Sequence, residues 1–364
     1  LPNNWWNSDD KPNHQSPSLA AGSVRSHILI FFLILLLAFL AGNWGGVTSD
    51  GEAALVIGAG LLFILVLAWR IFEPAFRLKI GLPLLIPLSL ITGAILIQLL
   101  SPIKAPGRPV CRQIIAYSLI TSAIILTKPR RSDLLFFYLF LLLGSVGLVF
   151  YGLQREGWRV GATPLTATYL NRNHFAALLG MIWPITVCYS LIPFRPFLRW
   201  ISRAGALILP AGIILTRSRG GILAAIFSLI LIGAVYLGGR TVKKRTLVII
   251  IFLLAVILGG FSLYFFQQSP LYYSPSPDTL SVRTRISIWE STLRIFLARP
   301  ATGWGWGTFR YVYPGFKKPG IWYNVPHAHN EYLQILGEGG AVGFLVILFV
   351  LGLTFSILVK NYRN

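Results

Sequence analysis

Close to the end of a 364-residue chain, the stretch NVPHAHNEYLQILGEGGAVG, Asn324 to Gly343, sets two histidines, an asparagine and two carboxylates just before an apolar run. His327 and His329 can form a metal pair, with Glu331 the nearest third donor in sequence. Alternatively, one neutral imidazole takes the proton of a hydroxyl nucleophile, a role that suits a group whose ordinary pKa is about 6.5. A histidine held only by structural hydrogen bonds is the third reading.

Arginines concentrate in two segments upstream. In LTRSRGGILAAI, Thr216, Arg217, Ser218 and Arg219 precede Gly220 and Gly221 at the start of an apolar run. Exposed amides at a helix start favour anions, and an adjacent guanidinium adds a planar fork for phosphate oxygens. An ordinary hairpin with snorkelling arginines fits the same residues. In SVRTRISIWESTLRIFLARPATGWGWGTF, Ile286, Trp289, Leu293 and Phe296 recur at helical spacing. That pattern predicts an amphipathic helix lying on a bilayer surface, which would aim Arg283 or Arg285 at the membrane mouth. Pro300 ends it, and Gly303, Gly305 and Gly307 then alternate with Trp304 and Trp306, either as a mobile sugar-stacking loop or as an interfacial aromatic anchor.

The elements that must position these residues are membrane helices. The chain is 55% hydrophobic and only 12% charged, about half the charge of an ordinary soluble domain. Apolar stretches long enough to cross a bilayer number about ten, near residues 27–41, 53–69, 80–100, 112–127, 132–151, 173–193, 204–216, 220–238, 246–266 and 341–359. No window alternates with the period of a strand, so the fold class expected is an all-α, polytopic helical bundle rather than a barrel. It divides into a polar N-terminal segment 1–26, a nine-span bundle 27–266, an extracytoplasmic catalytic loop 267–340 and a last span with its cytoplasmic end, 341–364. The first apolar run lacks a basic leader and a cleavage site and reads as an anchor. The chain begins at Leu1 and stops four residues after Lys360, as a fragment would at one or both ends.

Lys and Arg in short loops mark the cytoplasmic side. With the N-terminus inside, Arg70, Arg77 and Lys79, then Lys128, Arg130 and Arg131, then Arg195, Arg199 and Arg203, then Arg240, Lys243, Lys244 and Arg245 all fall inside. The loop at Lys104 to Arg112 is an exception. The long loop before the last span also lies outside, and it is basic, which points to an anionic partner such as lipid headgroups or an anionic substrate.

Several classes are excluded or disfavoured by what the chain lacks. None of its eleven Asp and Glu residues falls at the centre of an expected span, whereas ion-coupled transporters bury ionisable groups near the midplane. It has no phosphate-binding G-x-x-x-x-G-K-[ST], no H-E-x-x-H and no Asp-x-Asp. Cys111 and Cys188 lie in different apolar runs, so neither a disulfide framework nor a thiolate metal site is available.

His329-Asn330, nine residues, Gly340, two residues and Gly343 resemble the H-[NSQ]-x9-G-x-x-G signature of the O-antigen ligase family of bacterial membrane glycosyltransferases. SRGG at Ser218 to Gly221, RISIW at Arg285 to Trp289 and ARPATGWGWGTF at Ala298 to Phe309 resemble its other blocks in order and spacing. The likeness is strong over Arg217 to Phe344. Before that, only the hydropathy and NRNHFA at Asn171 to Ala176 support it.

The resemblance implies a GT-C-like helical enzyme at the outer face of the inner membrane, with its active site facing the periplasm. It would pass a glycan from undecaprenyl pyrophosphate to an acceptor hydroxyl, with inversion and with no metal or other cofactor. By position, His329 matches the family's catalytic histidine, and Arg219 and Arg285 match its pyrophosphate-binding arginines, with Arg217 and Arg283 duplicating them two residues earlier. His327, Asn330, Glu331, Trp304 and Trp306 are the further candidates for acceptor or glycan contact. The expected partners are the lipid-linked glycan, an acceptor glycolipid or glycan such as lipid A core, and membrane lipids, with no nucleic acid. A polymerase of the same fold would differ only in acceptor. A glycolipid or anion transporter and a non-catalytic scaffold for polysaccharide export are the other classes. Family members continue with further spans after the last one here.

Overall fold

The computed structural model describes residues 17–42, 48–72, 81–158, 163–191, 196–238, 282–319 and 325–363, and within them leaves out the side chains of 17–24, 234–238, 282–283 and 361–363. No strand occurs among the described residues. The chain runs through α1 (Pro17–Gly42), α2 (Ser49–Ile71), α3 (Leu82–Leu100), α4 (Gly107–Thr127), α5 (Arg131–Arg155), α6 (Arg172–Leu191), α7 (Pro196–Leu215) and α8 (Arg219–Gly238). After these come α9 (Val282–Ala298), a single turn α10 (Phe309–Val312) leading into a tighter turn at Tyr313–Gly315, and α11 (Glu331–Arg363).

Among the described residues, α1 to α7 and α11 supply eight helices long and apolar enough to span a membrane, and α8 is apolar over Arg219–Gly233. The protein is therefore a multi-pass helical membrane protein. The span expected at 246–266 lies outside the described residues. Two expected spans are longer than their apolar runs. The run at 204–216 belongs to a helix that starts at Pro196, and the run at 112–127 to one that starts at Gly107. Arg199 and Arg203 interrupt the first run's hydropathy without interrupting the helix, because long basic side chains keep their stems against apolar surface. Arg203 lies over the Trp200 ring, 4.9 Å from its centroid.

Contacts between connections sort into two ends. At one, Arg70 Nε at the end of α2 donates to Leu126 O at the end of α4 (2.8 Å). There also His27 Nε2 of α1 lies 3.3 Å from Asp133 in the first turn of α5. At the other, Arg112 of α4 pairs with Glu52 of α2 (2.8 Å), Leu165 N donates to Leu215 O (3.0 Å), and Ser218 Oγ bonds Asn173 Oδ1 (2.8 Å). This pattern requires α1 to α8 to alternate in direction, as expected from the short loops.

Packing within the bundle places α6 between α5, α7 and α8 around Leu142, Val149, Phe175, Leu179, Leu209 and Ile213. A smaller, separate core of Ile288, Ile295, Phe309, Val312, Tyr313, Val325 and Ala328 knits α9 and α10 into a cap over the start of α11.

The cap adds a second buried face to α9. Its buried stripe is Ile288, Ser291, Thr292 and Ile295, while Ile286 and Leu293 from the expected apolar face are exposed. The buried hydroxyls cost little because each donates to the carbonyl four residues back, Ser291 to Ser287 (2.8 Å) and Thr292 to Ile288 (2.7 Å). Small, self-satisfied polar residues thus pass as core, and α9 carries two apolar faces where the hydropathy pattern showed one.

Candidate functional site

The histidine segment is pinned from both sides. Asn330 caps α11, its Oδ1 accepting from Leu333 N (3.2 Å) and its carbonyl from Gln334 N (2.9 Å). Immediately before this cap His329 stands at φ 54°, in the left-handed region that a residue with a Cβ enters at a cost. One residue earlier, Ala328 is fully buried. Its N–H donates to Gln334 Oε1 (3.1 Å) and its carbonyl accepts from Trp289 Nε1 of α9 (3.1 Å). These bonds hold the backbone so that His327 and His329 flank a fixed point.

Four residues after Gln334, Glu338 is buried, and its two carboxylate oxygens accept from Gly307 N (2.8 Å) and Phe309 N (3.1 Å). Gln334 Nε2 adds a third bond to Glu338 Oε1 (3.3 Å). Asn330, Gln334 and Glu338 thus share one face of the helix at four-residue spacing.

The two signature glycines have different physical reasons. Gly340, at φ 61° and ψ −163°, breaks α11, and a Cβ there would meet Ala301 O at 2.5 Å. The break frees backbone groups, and the glycine-tryptophan loop satisfies them. Ala341 N donates to Pro300 O (2.8 Å) and Val342 N to Ala301 O (3.1 Å), while Gly337 O and Glu338 O accept from Trp304 N (3.2 Å) and Gly305 N (2.7 Å). Gly343 lies where α11 crosses α3, with room for a Cβ only 3.0 Å from Ile97 and 3.4 Å from Trp306.

Both tryptophans are packing elements of this splice. Trp306 is buried against Ile97, Gly339 and Gly343. Half-buried Trp304 donates from Nε1 to Ile295 O (3.0 Å), with Phe316 against its edge and the Arg299 guanidinium 5.6 Å from its centroid. A mobile stacking loop is not what the structure shows for either ring.

The first arginine segment is a tight turn between α7 and α8. Arg217 occupies the left-handed region at φ 54°, and the buried Ser218 accepts from Gly221 N (3.2 Å) and bonds Asn173 at the start of α6. Arg219 follows as the first residue of α8 and is exposed. It lies close enough to Arg285 of α9 for the two charges to interact. Partial burial, then the like charge of Arg219, pulls the Arg285 pKa below its ordinary value, and Arg285 Nε makes no hydrogen bond among the described residues. Arg285 is also one turn before Trp289, so the helix that carries it clamps the residue preceding His329. The side chain of Arg283 lies outside the described residues.

His327 is exposed at its tip and its pKa is pushed down. Burial is the largest cause, followed by the positive charge of Arg310, with Glu331 opposing and His174 adding to the depression. His174 and Arg310 therefore belong to the same mouth, as do Gln334 and Glu338, and none of the four was among the residues expected to touch substrate. The signal that could have found two of them is the regular spacing of Asn330, Gln334 and Glu338. Among the described residues, no three His, Cys, Asp or Glu side chains come together as a metal-binding set.

Comparison with known proteins reaches the segments that carry these residues. The O-antigen ligase family model matches residues 204–348, which hold the arginine turn, α9, the glycine-tryptophan loop and the histidine segment. No curated protein and no solved structure matches the chain. Glycan transfer of the O-antigen ligase and polymerase type is the activity this family carries. Over residues 204–348 the chain is thus similar to the O-antigen ligase family.

Proposed function

We propose that the protein moves a glycan from undecaprenyl pyrophosphate to an acceptor hydroxyl, with lipid A core as the acceptor class, at the periplasmic face of the inner membrane. The observation that carries this reading is that Arg219 at the start of α8 and Arg285 of α9, distant in sequence, lie within electrostatic reach of each other. A diphosphate between them offers oxygens for both planar forks.

In this scheme His329 takes the proton of the acceptor hydroxyl as its oxygen attacks the anomeric carbon. The bond from that carbon to the pyrophosphate oxygen breaks, and the electron pair leaves with undecaprenyl pyrophosphate. Arg219 and Arg285, with Arg217 and Arg283 beside them, stabilise charge where it develops, so no metal is needed. Attack opposite the leaving group inverts the anomeric centre. His327 and Glu331 border the acceptor side, and Asn330 serves it indirectly by capping α11.

His329→Ala tests the reading. Expressed in cells that lack their own transferase, it should insert normally and lose transfer by ~10²-fold or more, the usual contribution of a general base. Transfer at the wild-type level would exclude His329 as the base.

A further inference from the structure

The hydrogen bonds around Gln334 fix the protonation of His327. The orientation of the Gln334 amide follows from Ala328 N–H, a partner that can only donate. Ala328 N–H is the donor, so the atom facing it at 3.1 Å is Oε1. The other amide atom, Nε2, therefore faces Glu338 Oε1 at 3.3 Å, and both oxygens of Glu338 already take backbone N–H groups. The same Nε2 lies 3.4 Å from His327 Nδ1. A flipped amide would set amide N–H against backbone N–H. Nδ1 of His327 is therefore an acceptor, and the ring proton of the neutral imidazole sits on Nε2.

We propose that Gln334 is a positioning residue that locks His327 as the neutral Nε2–H tautomer, and that His327 uses this N–H to hold an oxygen of the acceptor sugar. His327 is thus a hydrogen-bond donor to substrate and not a second base. The inference rests on the glycan-transfer reading for its substrate, while the tautomer stands on the hydrogen bonds alone. The charged and titratable groups that face the ring are Arg310, Glu331 and His174, with Glu338 behind Gln334. Arg310 and His174 oppose a proton on the ring and Glu331 favours one, and burial is the largest effect, keeping the ring neutral.

The experiment uses full-length protein in lipid nanodiscs with ¹⁵N-labelled histidine, and His327 is assigned by its loss in His327→Gln. Long-range proton–nitrogen correlation at pH 7 should show His327 with Nε2 protonated and Nδ1 bare. In Gln334→Glu a carboxylate replaces the donor, so Nδ1 should take up a proton and the ring should titrate at higher pH than in wild type. An Nδ1–H or doubly protonated His327 in the wild type overturns the proposal, as does a Gln334→Glu spectrum identical to wild type. Should that variant fail to fold, the wild-type spectrum alone decides the tautomer.

The kinetic arm addresses the substrate. His327→Ala should raise the acceptor KM about tenfold, the effect of one lost hydrogen bond, with kcat within about a factor of two. His327→Gln, which keeps an N–H donor of similar reach, should recover most of the loss. A fall in kcat as large as that of His329→Ala would make His327 a base and end the proposal. Full transfer by His329→Ala would defeat the transfer mechanism and leave the tautomer intact, whereas an Nδ1–H tautomer would defeat this inference and leave the mechanism intact.

Discussion

Both ends of the bundle hold matched charges, Arg112 with Glu52 at the histidine end among them, but only that end also brings like charges near each other. At the end where α2 and α4 finish and α5 starts, charges meet groups that suit them. Arg70 donates to the last turn of α4, Asp133 accepts from Arg130 N (2.9 Å), and His27 lies against Asp133. Cations near helix C-termini and anions near N-termini are what the helix dipole rewards. At the histidine end, Arg219 faces Arg285, and His327 shares its mouth with Arg310 and His174. Two motif residues there, Arg217 and His329, stand in left-handed backbone, as Lys128 does where α4 finishes at the opposite end. Charge placed for stability alone follows the first pattern. The second pattern brings cations near one another at a mouth, the environment in which an anionic ligand is proposed to sit.

The comparison breaks most severely at Gly340. Gly340→Ala puts a Cβ against Ala301 O at φ 61° and so should cost ~1–3 kcal/mol. It should also cut transfer, because the splice it disrupts orders the glycine-tryptophan loop and, through Glu338 and Gln334, the histidine segment. Thermal unfolding in detergent beside a transfer assay measures both. A stable, fully active variant would show that the helix break is not needed.

Arginine chemistry sharpens the comparison. Arg219→Lys and Arg285→Lys keep the charge but lose the planar fork, so each should lower transfer about 10-fold or more with protein level unchanged. Wild-type rates in both variants would reduce these residues to surface charge.

The smallest effect belongs to the opposite end. Arg70→Ala removes one carbonyl cap and should cost about 1 kcal/mol or less, with transfer unchanged. Loss of transfer without loss of stability would join the two ends functionally.

Much of this was legible in the residues, and the parts that were not share a cause. Hydropathy located the eight described bundle helices and α11, since a bilayer demands long apolar helices and little else. It misjudged where α7 starts because Arg199 and Arg203 lower the hydropathy of a helix they do not end. Residue types and spacing singled out Arg219, Arg285 and His329, and the structure adds that the first two share one field. Gln334 and Glu338 were not among those expected to touch substrate because ordinary polar residues on a helix are silent until their partners are known, and those partners are backbone groups up to 31 residues away. Trp304 and Trp306 suggested a sugar platform by composition, but the break at Gly340 gives both rings packing roles that only the tertiary contacts reveal.

The central claim is that paired arginines, with no bound cation, hold the leaving pyrophosphate. Purified protein in nanodiscs, given an undecaprenyl-pyrophosphate-linked glycan and an acceptor glycolipid in excess EDTA, tests it by following glycosylated acceptor and released undecaprenyl pyrophosphate together. The account predicts that wild-type transfer persists in EDTA and that Arg219→Gln and Arg285→Gln each lose it. Loss of wild-type transfer in EDTA, restored by zinc or magnesium, would contradict it and make His327 and His329 metal ligands.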